Sequence, residues 1–282
     1  MTISAFKKHF KTALSDLYTE SESVFLSSLL IQKIAGFDRF QQRRFSEQEL
    51  LTDDEQQLYG FISELKTGRP YQQILGETEF YGMRFLVDEH VLIPRPETEE
   101  LLEIAIREIQ SLAVNIEGLK ILDIGTGSGV IPLVLKKHFP KAEVSSVDFS
   151  EKALETARRN AAYHHLEVHF IHADYLQFEP AETYDIIISN PPYIGIDEEI
   201  DIADSVKEFE PKMALFSPTS DALVFYRKIA EDCKVHLKDN GLLFLEINQK
   251  LGPETLALYS DFCDAQLLKD LSENERFIYG RK

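Results

Sequence analysis

The chain has no tryptophan, two cysteines and three methionines among its 282 residues, and it is short of positive charge. Its 30 Lys and Arg face 48 Asp and Glu, a formal charge of -18 at pH 7. A whole-molecule field of that sign repels phosphate backbones and anionic lipid, so a nucleic-acid substrate is disfavoured, although a local basic patch remains compatible with it. Cys233 and Cys263 stand in a chain without a secretory apolar segment, which reads as free thiols in a reducing compartment rather than a disulfide. No Cys or His grouping has metal-ligand spacing, so no metal is expected. An apolar run of about 18 residues, the length that spans a bilayer, is also missing. These absences together read as a soluble cytoplasmic protein without a membrane role.

What is present, 44% hydrophobic and 28% charged residues, suits one large α/β domain with a smaller companion. Residues 1–76 read as an all-helical module. Ala5 to Tyr18 carries apolar residues at helical spacing, and Ser21 is placed to cap a second helix that Gly36 stops. A further helix is expected over Glu47 to Leu65, in pieces, with Gly60 its weak point, before Gly68-Arg69-Pro70 breaks the pattern. Residues 77–96 read as a β-hairpin around Gly82 leading through extended Ile93-Pro94-Arg95-Pro96, a linker between domains.

From residue 97 to 282 helix and strand alternate, which predicts a mostly parallel sheet covered by helices on both faces. Apolar or β-branched runs place strands at Lys120 to Ile124, Glu143 to Val147, Glu167 to Ile171, Tyr184 to Ser189 and Leu242 to Ile247. Helices are expected at Val130 to Phe139, Glu151 to His164 and Leu223 to Leu237, with Gln266 to Lys269 and Arg276 to Tyr279 closing as an antiparallel pair.

Three strand ends carry chemistry. The first runs into Asp123-Ile124-Gly125-Thr126-Gly127-Ser128-Gly129, a glycine loop that lets a ligand approach the backbone closely. Its third glycine falls one residue short of the dinucleotide fingerprint, where Val130 stands, which weakens a nicotinamide reading. Asp148 ends the second strand, placed to accept hydrogen bonds from both hydroxyls of a ribose, and Phe149 follows it. Asp174 and Tyr175 follow the third, the one placed to accept from an adenine amine and the other, like Phe149, to pack on a ring. Each aspartate alone is as well explained by a helix cap or a solvated loop, and their joint placement is the signal.

After the fourth strand comes Asn190-Pro191-Pro192-Tyr193. Two prolines remove two backbone donors and stiffen the loop, which therefore shows acceptors. The Asn190 side-chain oxygen and the Pro191 carbonyl can each accept one N–H of a planar amide or amine, with Tyr193 as a flat wall. A rigid turn capping a strand is the plain alternative. His164, His165, His169 and His172 cluster in sequence, but a helix end and a short strand explain them.

Residues 97–282 resemble the class I S-adenosylmethionine-dependent methyltransferases, with a Rossmann-like seven-stranded sheet. Within that fold the Asn-Pro-Pro-Tyr tetrapeptide is similar to that of the amino-methyltransferases, which act on adenine, guanine or the glutamine amide. Arg69-Pro70, Tyr71 to Gly76, Leu92 to Glu99, and Glu210-Pro211 with Ala214-Leu215 resemble the bacterial peptide chain release factor N5-glutamine methyltransferases, the HemK/PrmC family. That likeness spans nearly the whole chain. It implies S-adenosyl-L-methionine as cofactor, held by Asp123, Gly125 to Gly129, Asp148, Phe149, Asp174, Tyr175 and Asn190, and the Asn190 to Tyr193 loop as the catalytic and substrate-binding element. It implies methylation of the glutamine in the Gly-Gly-Gln motif of release factors, with the helical module helping to hold the release factor. Ala222 and Asn248 stand where the family favours glycine, which bears on local turns. An amide nitrogen is a poor nucleophile, so the resemblance implies catalysis by positioning, with no assigned base. The alternatives are a DNA or RNA amino-methyltransferase, which would add a basic recognition region that is not found here, and a non-catalytic cofactor-binding scaffold.

Overall fold

The computed structural model describes residues 1–111, 118–195, 204–219 and 221–282. The chain forms two compact units, Met1–Leu75 and Gly76–Lys282.

The first unit holds α1 (Ile3–Ala13), α2 (Glu20–Ala35), α3 (Arg39–Arg44), α4 (Thr52–Leu65) and α5 (Tyr71–Leu75) around Phe6, Phe10, Leu30, Ile31 and Leu58. α1 ends at Ala13 rather than Tyr18. Thr19, not Ser21, caps α2: its hydroxyl accepts the Glu22 N–H while the Glu22 carboxylate accepts the Thr19 N–H, a reciprocal box that places Ser21 inside the first turn. Gly36 ends α2 with φ 76°, in the left-handed region that glycine enters freely. α4 passes through Gly60 unbroken because Leu58, Ile62 and Leu65 anchor one stripe in the core. α3 carries its own box, Asp38 with Gln41, and is too short to show a period in sequence.

The second unit opens with the hairpin β1 (Glu77–Phe80) and β2 (Met83–Leu86), joined by Tyr81 and Gly82 at φ 51° and 64°. The Tyr81 N–H is held by the Glu99 carboxylate at 2.6 Å. Phe80, Met83 and Phe85 are buried in this unit's core, so the hairpin is packed within it.

A seven-stranded sheet follows: β3 (Lys120–Ile124), β4 (Glu143–Asp148), β5 (His169–His172), β6 (Tyr184–Ser189), β7 (Leu237–Glu246), β8 (Asp264–Lys269) and β9 (Glu275–Arg281). The order is β5-β4-β3-β6-β7-β9-β8, with β9 antiparallel to β7 and β8 and the remaining pairs parallel. This is the mostly parallel sheet expected from the sequence. Side chains alternate between two cores: Ile121, Ile186, Ile188 and Phe244 face α6 (Pro96–Ser111) and α7 (Val130–His138), whereas Leu122, Ile187, Leu243 and Leu245 face α11 (Val224–His236). The remaining helices are α8 (Glu151–His164), α9 (Asp204–Phe209), α10 (Lys212–Leu215) and α12 (Gly252–Ala257). β7 begins at Leu237 rather than Leu242: Tyr184 pairs with Leu237 and Ile186 with Leu242, so the intervening residues bulge, with Asn240 at φ 61°.

β3 is flanked by β4 on one side and β6 on the other. The strand order reverses between them, and a crevice opens beyond the carboxyl ends of β3 and β6.

Candidate active site

The two informative loops meet at that reversal. The Ser189 hydroxyl donates to the Ile124 carbonyl at 2.7 Å, tying the ends of β6 and β3. Gly125 sits at φ 86°, and a Cβ there would lie 3.5 Å from the Asn190 carbonyl oxygen, so the glycine loop runs alongside the Asn190 to Tyr193 loop. The Gly125 and Thr126 N–H groups donate to the Val147 carbonyl, that of Gly127 to Asp148 Oδ2 at 2.9 Å, and that of Gly129 to the Thr126 carbonyl. At these four positions the loop therefore offers close approach rather than spare donors.

A cavity of about 500 Å³ is lined by Gly125 to Ser128, Asp148, Phe149, Asp174, Tyr175 and Asn190 to Pro192. Residues far apart in sequence thus share one wall. Asp148 accepts from Gly127 N–H through Oδ2 and from Ser150 N–H at 2.8 Å through Oδ1, which keeps a second lone pair on each oxygen. Burial raises its pKa, against the pull of those N–H groups. Asp174 accepts from the Leu176 N–H at 3.1 Å and the Gln177 amide at 2.7 Å. Phe149 is 58% exposed at the rim. Tyr175 is buried, and its hydroxyl donates to Asp232 at 2.6 Å.

Three of the residues singled out in the sequence do not line the cavity. Asp123 lies beneath the glycine loop, fully buried, accepting from Ser146 Oγ at 2.5 Å, and Ser146 in turn contacts the Thr126 hydroxyl at 2.6 Å. Its other oxygen has no hydrogen-bond partner among the described residues, and burial pushes its pKa well above the usual carboxylate range. Gly129 serves packing: a Cβ there would meet Ala157 and Leu133 at 3.2 Å. Tyr193 sits behind Asn190, because its hydroxyl donates to the buried Glu246 at 3.3 Å and its carbonyl accepts from Asn248 at 3.2 Å. Asn248 therefore has work at the position where glycine was expected.

Glu246 is the residue that sequence reasoning missed, whereas Thr98, in the Leu92 to Glu99 segment of the resemblance, lines the cavity. Thr98 donates to Glu246 Oε2 at 2.7 Å, so its hydroxyl can only accept from Asn190, whose Nδ2 lies 3.1 Å away. That fixes the amide: Nδ2 faces Thr98, and Oδ1 is left for the cavity. The available signal was a glutamate near the end of the apolar run Leu242 to Ile247, a charge where a buried strand has none to spare. Arg95, in the same segment as Thr98, also lines the cavity. Arg95 pairs with Glu210 at 2.6 Å, and the Ile93 N–H donates to the other Glu210 oxygen at 2.9 Å, so two segments far apart in sequence clasp each other beside the cavity.

The four histidines stay outside the cavity lining, with His164 on the Arg84 carbonyl and His172 on that of Phe149. Glu179, Asp232 and His236 converge away from the site, but Lys228 Nζ lies 2.5 Å from one Asp232 oxygen and Tyr175 holds the other, so a cation there would have to displace both. Among the described residues no helix is long and apolar enough to cross a membrane.

Residues 108–207 match the family model described as Methyltransferase small domain. The chain is similar in fold to a solved methyltransferase from Pyrococcus furiosus, with a TM-score of 0.51 at 17% identity, over 75% of this chain and 94% of that one. The chain is 40% identical over 281 residues to the release factor glutamine methyltransferase of Flavobacterium psychrophilum, covering 99% of this chain and 98% of its relative. It is 42% identical over 236 residues to that of Streptococcus pneumoniae, covering 82% of each. Identity of this extent along essentially the full length, helical unit included, shows that the chain belongs to the release factor glutamine methyltransferase family.

Proposed function

We propose that this chain transfers a methyl group from S-adenosyl-L-methionine to the side-chain amide nitrogen of the glutamine in the Gly-Gly-Gln motif of peptide chain release factors. The observation that carries the proposal is the orientation of Asn190: with Nδ2 bound by Thr98, its Oδ1 remains as an acceptor where Asn190 and Pro191 line the cavity at the carboxyl end of β6, and with the Pro191 carbonyl it makes the acceptor pair of this reading. Such a pair suits a planar NH2 group and no anion.

The residues present fit the cofactor. Gly125 has no side chain where a ligand must pass between the two loops, and Asp148 keeps lone pairs for vicinal hydroxyls. Asp174 and Phe149 also line the cavity, and the volume of about 500 Å³ falls in the range of cofactor sites. When bound, S-adenosylmethionine supplies an electrophilic sulfonium methyl. The protein's own part is geometric. Asn190 Oδ1 and the Pro191 carbonyl hold the two amide hydrogens in the plane of the acceptors, which turns the nitrogen lone pair toward the cavity and stabilises the positive charge that grows on nitrogen. No side chain in the cavity lining is needed as a base, because a methylated amide nitrogen is acidic and loses its extra proton to water.

The helical unit is read as the part that recognises the release factor. It carries Val24, Phe25, Phe40 and Leu51 as exposed large apolar side chains, a surface suited to a protein. The test is methyl transfer from labelled S-adenosylmethionine to a full-length bacterial release factor, with tRNA and duplex DNA in parallel reactions. Label in the protein alone supports the reading, and label in nucleic acid alone moves the chain to base methylation.

A further inference from the structure

Behind the acceptor pair a chain of hydrogen bonds leads from Asn190 and Thr98 in the cavity wall to Glu246 and Tyr193, which do not line it. We propose that Glu246 is a positioning residue for the reaction: acting through Thr98, its carboxylate fixes which end of the Asn190 amide faces the substrate. This rests on the reading above for what Asn190 does, and on geometry alone for what holds it.

Glu246 is 1% exposed at the end of β7. Tyr193 Oη donates to its Oε1 at 3.3 Å, and Thr98 Oγ1 donates to its Oε2 at 2.7 Å. With both oxygens accepting, the carboxylate is in its ionised form. The single Thr98 proton is committed to Glu246, so Thr98 receives the Asn190 Nδ2–H. Place a proton from solvent on Oε2 and the sequence reverses. The carboxyl O–H then donates to Thr98 Oγ1, the Thr98 hydroxyl turns to donate to Asn190, and Asn190 must present Oδ1 to it. The amide has then rotated by half a turn, and an NH2 group faces the substrate's NH2. Tyr193 gives the proton no equal alternative, since its hydroxyl has no second acceptor among the described residues.

The surroundings set the balance near neutrality. Burial is the largest influence and raises Glu246 to about 7, opposed by the Thr98 hydrogen bond, the charge of Arg276 on β9 and the Tyr193 hydrogen bond, and reinforced by Glu97 on α6. From α11, the Tyr226 hydroxyl donates to the Glu246 backbone carbonyl at 3.0 Å, and Arg95 acts on Tyr193. Arg276 is itself held by Asp270 and Gln249.

The test uses the full-length chain with residue-selective 15N-asparagine labelling, the Asn190 side-chain NH2 signals being identified by their loss in Asn190→Ala. In the unsubstituted protein these signals shift with pH around a midpoint of about 7. In Glu246→Gln and Thr98→Val the titration vanishes, and in Thr98→Ser, which keeps the hydroxyl, it persists. In turnover assays kcat rises across the same midpoint and loses that rise in Glu246→Gln. Thr98→Val lowers kcat roughly 10- to 100-fold, as for loss of an oriented group, with KM for S-adenosylmethionine little changed. Thr98→Ser restores kcat, which a role in packing alone would not produce. The proposal is overturned by Asn190 signals that ignore pH, or by a titration that survives in Glu246→Gln. Absence of methyl on the release factor glutamine would instead overturn the function proposed above, while the amide titration still decides the role of Glu246.

Discussion

Thr98 and Glu246 stand 148 residues apart in sequence and share a buried hydrogen bond of 2.7 Å. That bond joins the first turn of α6 to the end of β7, and its outcome is the orientation of an asparagine on a third element, beyond β6. The buried carboxyl has a cost that pH exposes. Its pKa is raised from 4.5 to about 7 in the folded chain, so between those values the folded state holds the proton more tightly than the unfolded one. The contribution to stability is full below the unfolded value and is lost as pH rises through the folded one, on the order of 3 kcal/mol in all. Glu246→Gln removes that dependence. Urea melts at pH 5 and pH 8 should show the unsubstituted chain losing more stability between the two than Glu246→Gln does, and equal losses contradict the assignment.

Asp148 accepts two backbone N–H bonds and faces the cavity. Asp148→Asn exchanges one acceptor oxygen for a donor that must oppose either Gly127 or Ser150. Charged hydrogen bonds of this kind contribute about 1.5–3 kcal/mol, so affinity for S-adenosylmethionine should fall roughly 10- to 100-fold by calorimetry. Because burial raises the Asp148 pKa, acidification should also weaken binding by the unsubstituted chain sooner than it would for an exposed aspartate.

Gly125→Ala places a side chain at φ 86° beside the Asn190 carbonyl. The 3.5 Å separation is an ordinary contact, so the cost lies in the left-handed backbone, about 1–2 kcal/mol, rather than in a clash. A modest drop in Tm with a larger loss of cofactor affinity is expected. A drop in Tm with full affinity would mean that the ligand does not pass this glycine.

Much of this arrangement was legible in the sequence. β3, β6 and α8 have the expected bounds because apolar runs and clear caps mark them, and the glycine loop and the Asn-Pro-Pro-Tyr turn mark two strand ends directly. α3 was invisible because a six-residue helix shows no period, and β7 was placed late because its first residues belong to a bulge whose character comes from pairing with Tyr184. The supporting groups were hidden for another reason. Thr98, Ser146 and Glu246 gain their roles from partners on other elements, and a hydrogen bond across many tens of residues leaves no local pattern.

Arg95 and Glu210 pair beside the cavity, with Glu210 nearly devoid of solvent and Arg95 keeping a third of its surface. Arg95→Ala leaves a buried carboxylate with one backbone donor from Ile93. The expected loss is about 2–3 kcal/mol, below that of a fully buried pair because Arg95 is partly hydrated. Arg95→Ala with Glu210→Gln should recover part of it in thermal melts, and a double variant no more stable than the single one contradicts the pairing.

The most direct measurement is tandem mass spectrometry of a full-length release factor after incubation with S-adenosylmethionine and either the unsubstituted chain or Asn190→Ala. The account predicts a single added methyl on the side-chain amide of the Gly-Gly-Gln glutamine with the unsubstituted chain. It predicts a rate roughly 100-fold or more lower with Asn190→Ala, on the scale of losing one oriented acceptor, while cofactor binding is largely kept. Methyl found elsewhere, or transfer at an unchanged rate by Asn190→Ala, would contradict it.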